Sequence, residues 1–202
     1  MKTNRFQALA GLFLLAVVLT GCAQVPQQQL DTAQAALQAA AEAEANLYVA
    51  DLYQALQDSL AAAQTEIETQ KSRFALTRDY SRAERLLQFV TQTAAEAQAQ
   101  AATQKEAMRA EAERLIAEAR QALTQVQDLL AKAPRGKEGT MALVSIQTDR
   151  NNASQTLDQA TTALENGKIL EARDLAATAL EKANLLIQEL NTAIAKQAGT
   201  RS

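Results

Sequence analysis

The sequence predicts an all-α protein, and three observations carry that prediction. Alanine, the strongest helix former, dominates a chain of 202 residues. Only two prolines and six glycines punctuate it, so helix breakers are scarce over long stretches. Apolar residues recur at steps of three and four, and no run of alternating β-branched residues suggests a strand.

Residues 1–21 come first. Lys2 and Arg5 precede the apolar run 8–19, which is too short to span a bilayer comfortably, and the small residues Thr20 and Gly21 close it before Cys22. That order reads as an export signal cut between Gly21 and Cys22. Cys22 is the only cysteine, so a disulfide would need a second chain. Leu19-Thr20-Gly21-Cys22 resembles the lipobox of bacterial lipoproteins, whose mature chains begin at a cysteine bearing thioether-linked diacylglycerol. The resemblance implies lipidation of Cys22, palmitate being one such acyl chain, and makes residues 22–27 a lipidated tether. Each buried methylene contributes about 0.8 kcal/mol, so two or three chains hold where one is marginal. In that family an aspartate after the cysteine commonly retains the protein in the inner membrane. Ala23 stands there, which implies the outer membrane, facing the periplasm.

Four helices follow, near 28–77, 80–133, 140–166 and 168–197. The first carries Val49, Leu52, Leu56, Ala63, Ile67 and Phe74 on one stripe, with Leu60 beside them and Leu30 and Leu37 upstream. Ser81-Arg82-Ala83-Glu84 opens the second with capping-box spacing. Its stripe runs from Ala83 through Leu87 and Val90 to Ala133, and from Ala112 onward the steps alternate four and three, the repeat of a coiled-coil seam. Residues 132–140 form a loop around Pro134, Gly136 and Gly139. Leu143, Ile146, Ala153, Leu157, Ala160 and Leu164 mark the third helix. Asn166-Gly167 ends it, because glycine takes the left-handed position without a Cβ clash. Ala172, Ala176, Ala179, Ala183, Leu186, Leu190 and Ala193 mark the fourth.

These lengths suggest elongated antiparallel hairpins. The second helix, on the order of 80 Å long, pairs with the first in a long two-helix coiled coil over residues 28–133. A second hairpin, 140–197, packs beside residues 28–50 and 107–133 and makes a four-helix end near the anchor. Residues 55–105 then project as a mobile arm, its tip marked by Phe74, Tyr80 and Phe89. These three read first as local core at the turn and second as a partner-docking tip.

Composition excludes much chemistry. There is no histidine, which removes the commonest general base and metal ligand, and no metal or cofactor site is expected. Neither Ser-x-x-Lys nor Gly-x-Ser-x-Gly occurs. Arg135-Gly136-Lys137-Glu138-Gly139 fails as a phosphate loop, since Ala131 and Glu138 replace the required glycine and hydroxyl. Lys132, Arg135 and Lys137 complement a helix C-terminus instead. Glu42 and Glu44, Glu66 and Glu68, and Glu111 and Glu113 lie two apart and point away from each other. Glu106, Arg109, Glu113, Arg114 and Glu118 form an opposite-sign ladder on a solvated face. Of 20 basic residues, Lys2 and Arg5 leave with the signal, so 18 face 23 acidic ones, a formal charge of −5. Nucleic acid is therefore not an expected partner.

Two segments look related. Tyr80–Leu87 and Ile169–Ala176 each follow a turn and open with an apolar residue, then alanine three positions on. Residues 163–172 also resemble the inter-helix turn of tetratricopeptide repeats, without that family's tryptophan or period. With the lipobox and the Ala-rich helices, these turns resemble bacterial envelope lipoproteins built on a helical domain of unknown function, sometimes joined to an OmpA-like domain. Thr200-Arg201-Ser202 ends the sequence without room for that domain. Murein lipoproteins share the anchor and the heptads but attach to the wall through a C-terminal lysine, and Ser202 stands here. The sequence thus points to a non-enzymatic, lipid-anchored periplasmic scaffold or adaptor with an envelope protein as partner. A non-covalent peptidoglycan-bound spacer and an accessory factor of wall synthesis are the alternatives, and homo-oligomers remain open.

Overall fold

A computed structural model describes residues 24–133 and 137–199. Among them the elements are α1 (Gln27–Glu42), α2 (Ala45–Tyr48), α3 (Ala50–Lys71), a 3₁₀ turn (Ala75–Thr77), α4 (Ser81–Lys132), α5 (Lys137–Glu165) and α6 (Ile169–Gly199). No strand occurs among the described residues, as the scarcity of β-branched alternation required. The chain divides into two compact units, and the boundary falls inside α4, between Ala102 and Thr103.

In the first unit the expected single helix over 28–77 is broken. Ala43 and Glu44 close α1 through N–H bonds to the Ala39 and Ala41 carbonyls, and Glu44 turns left-handed at φ 60°. Its carbonyl then accepts from Leu47 and Tyr48, starting α2, and Val49 separates α2 from α3. A left-handed non-glycine residue costs about 1–2 kcal/mol, so packing must hold it there. Ala40 and Ala45, on the two sides of the break, are fully buried. The chain thereby reverses, and α1, α3 and the first turns of α4 share one core. That core joins Ala33 and Ala40 to Leu56, Leu60, Ala63 and Ile67 of α3 and to Ala83, Leu87, Val90, Ala94, Ala97 and Ala101 of α4.

Two expectations therefore change. Residues 55–105 do not form a two-helix arm, because α1 packs on them as a third helix. Residues 28–50, expected beside the last two helices, find their buried neighbours within 56–101. The physical reason is alanine. Two Ala-rich helices bury little apolar surface between them, and a third helix adds a second face of contact.

The second unit uses the remainder of α4 with α5 and α6. Ile116, Ala119, Leu123 and Val126 pack with Ile146, Ala153, Leu157 and Ala160, and with Ala176, Ala179, Ala183, Leu186 and Leu190. The coiled-coil seam read on α4 is therefore buried against both α5 and α6. At the α5–α6 turn Gly167 sits at φ 76°. Its N–H donates to the Leu164 carbonyl and that of Lys168 to Ala163, the paired bonds of a Schellman cap. Ala112 of α4 packs against Ala163 and Ala172 on either side of this turn. Helix α5 begins at Lys137, three residues earlier than expected, while Pro134, Arg135 and Gly136 lie outside the described residues.

The two openings that look alike in sequence are alike in packing. Tyr80, Ala83, Leu87, Val90, Ala94, Ala97 and Ala101 are buried at steps of three and four. Ile169, Ala172, Ala176, Ala179, Ala183, Leu186 and Leu190 are buried at the same steps in the same order.

Candidate functional site

Three element ends meet at one end of the first unit. Val25 packs against the unit's core and Pro26 is buried, fixing the chain as it enters α1. Gln28, Gln29 and Thr32 share a groove with Ser81, Glu84, Arg85 and Gln88, so the start of α1 lies beside the start of α4. The loop from Ser72 to Tyr80 joins the end of α3 to this same place. The expected arm tip is thus the end at which the N-terminal segment arrives, which corrects the distal placement.

The loop is held by its own bonds. Arg78 donates through Nη2 to the Lys71 carbonyl at 2.9 Å and through Nε to that of Arg73 at 3.1 Å. The Thr77 N–H and hydroxyl both donate to the Phe74 carbonyl. Gln70 is buried at 4% exposure and ties loop to helix: its Nε2 donates to Glu66 at 2.7 Å, and its Oε1 accepts the Asp79 N–H at 3.1 Å. Sequence reasoning passed over Gln70. The signal was its register, since it continues Leu56, Leu60, Ala63 and Ile67 at a position otherwise filled by apolar residues.

Asp79 then caps α4. Its carboxylate accepts the Ser81 N–H at 2.9 Å, and this bond, with a second from the Ser81 side chain, draws its pKa below the ordinary 3.8. Desolvation opposes this shift, and Arg85 and Arg73 each add a still smaller pull in its favour. The capping box read from Ser81 and Glu84 is replaced, because burial of Tyr80 sets where the helix starts and leaves Asp79 to fold back.

Of the three aromatic candidates, Phe74 is 70% exposed, Phe89 is 43% exposed and Tyr80 is buried at 3%. They do not form one exposed surface. Tyr80 belongs to the core reading, and its buried hydroxyl has no hydrogen-bond partner among the described residues. Leu76, at 71% exposure, stands out beside Phe74 and was not singled out from sequence. It fell off the stripe because the 3₁₀ turn, not a helix, presents it.

The groove between α1 and α4 measures about 560 Å³ and offers amides, hydroxyls and the Glu84 and Arg85 charges. Among the described residues no three His, Cys, Asp or Glu side chains gather to hold a metal. The charged ladder is a solvated face, with Arg114 bonded to Glu118 at 2.6 Å and Arg109 at 4.0 Å from Glu106. Glu66 and Glu68 serve different partners, Glu66 taking Gln70 and Arg82, Glu68 taking Lys71. No helix of the described residues is long and apolar enough to cross a membrane. Gly21 and Cys22 lie outside the described residues. Comparison with protein-family models, with curated proteins and with solved structures finds no match.

Proposed function

We propose that this chain is a lipid-anchored helical scaffold or adaptor of the bacterial envelope, tethered through Cys22 to the outer membrane and facing the periplasm. It acts by protein contact rather than by chemistry. The observation that carries the reading is the order Lys2, Arg5, apolar run, Leu19-Thr20-Gly21-Cys22, followed within four residues by the buried Pro26 that leads into a helical bundle. A folded unit beginning so close to a modified cysteine leaves nothing between lipid and domain but a short tether.

The test is fractionation of cells producing the native chain and Cys22→Ser. Native protein is expected in the outer-membrane fraction and to stay in the washed pellet, while Cys22→Ser is expected to accumulate unprocessed. Normal processing and membrane retention of Cys22→Ser contradict the reading. Binding to purified sacculi separates the spacer alternative, since an adaptor leaves little protein on the wall.

A further inference from the structure

The loop that carries Phe74 and Leu76 stands at the end where the tether arrives, and tether length turns that coincidence into a constraint. Val25 is packed on the core, and only Ala23 and Gln24 separate it from Cys22, three Cα–Cα steps in all. Such a segment spans at most about 11 Å. If Cys22 carries lipid, this end of the first unit cannot stand far from the bilayer surface. The groove joining Gln28 and Thr32 to Ser81 and Arg85 fixes the 72–80 loop at that same end.

We propose that the Phe74–Leu76 loop is a membrane contact, seating both side chains in the interface of the bilayer to which Cys22 is tethered. The inference rests on the lipidation reading and specifies how the tethered unit meets its membrane. Phe74 and Leu76 are 70% and 71% exposed, more than any other large apolar side chain among the unit's described residues. The loop is braced while both side chains stay exposed, because Arg78 and Thr77 bond the carbonyls of Lys71, Arg73 and Phe74. Of the five cations around the loop, Lys71 and Arg82 are paired with Glu68 and Glu66, while Arg73, Arg78 and Arg85 stand beside Asp79 and Glu84. Apolar tips within a nearly charge-balanced surround suit a phospholipid surface that is mostly zwitterionic.

The chain has no tryptophan, so one introduced at Phe74 reports alone. Phe74→Trp is reconstituted in vesicles of phosphatidylethanolamine with a minority of phosphatidylglycerol, with and without lipids brominated near the carbonyl. Leu47→Trp serves as the control. Leu47 is 53% exposed in the α1–α3 connection, at the far end of α3. The expected result is a blue-shifted Phe74→Trp emission, quenched by half or more by the brominated lipid, with Leu47→Trp unshifted and unquenched. Emission from Phe74→Trp that matches the vesicle-free protein overturns the proposal and leaves the loop to a protein partner. Equal quenching at both positions overturns it as well. Lipidation is read separately from the mass of the N-terminal peptide. Should Cys22 prove unmodified, its thiol, the only one in the chain, is coupled to a maleimide lipid and the same emission is measured. Failure of the lipoprotein reading and failure of the loop contact therefore give different results.

Discussion

At the scale of single residues, the loop between α3 and α4 depends on two polar side chains that apolar patterning does not reveal. Gln70 sits in a core register, yet both ends of its amide are satisfied, by Glu66 and by the Asp79 N–H. Buried polar groups stabilise only when paired, which is why this glutamine is tolerated among leucines and alanines. Asp79 adds the cap. Its folded pKa lies below its unfolded value, so its contribution is present above the unfolded pKa and is lost as pH falls through the folded one. Asp79→Asn is therefore expected to be less stable than the parent at neutral pH, with the gap closing in strong acid. Urea midpoints over a series of pH values check this, and a gap independent of pH contradicts it.

At the scale of elements, helical type and inward face were legible because alanine, leucine and the three-four spacing act locally. Leu56, Ile67, Leu87, Val126 and Leu190 all lie where their stripes put them, buried. The Gly167 turn was legible for the same reason, since one glycine after a periodic run implies a left-handed cap. No atom lies within 4 Å of a Cβ placed on Gly167, so Gly167→Ala tests backbone strain without a clash. It is expected to destabilise the protein by about 1 kcal/mol, left-handed strain outweighing the smaller entropy of the unfolded alanine chain. Gly167→Asn, a better left-handed residue, is expected to lose less. Urea unfolding measures both, and an unchanged midpoint for the alanine variant contradicts the assignment. The break at Ala43–Val49 was not legible. Residues 39–45 hold neither glycine nor proline, and only the gain from folding α1 back onto α3 and α4 places Glu44 in a left-handed turn.

At the scale of the whole molecule, the sequence made the class plain and left the grouping of helices unresolved. A long hairpin and two three-helix units share nearly all the same stripes, and they differ in whether residues 27–71 run straight or reverse. That choice rests on packing between segments distant in sequence, which periodicity does not encode. It also moves the Phe74 loop from a remote tip to the end where the tether enters. The candidate site was legible in Phe74 and hidden in Leu76, whose exposure comes from a short turn rather than from a stripe. The central claim is that a folded helical unit begins a few residues beyond a lipidated cysteine. The most direct test is the intact mass of the protein purified from membranes. The account predicts a chain starting at Cys22 and carrying diacylglycerol. A chain retaining Met1 or residues 1–21, or one starting at Cys22 with an unmodified thiol, contradicts it.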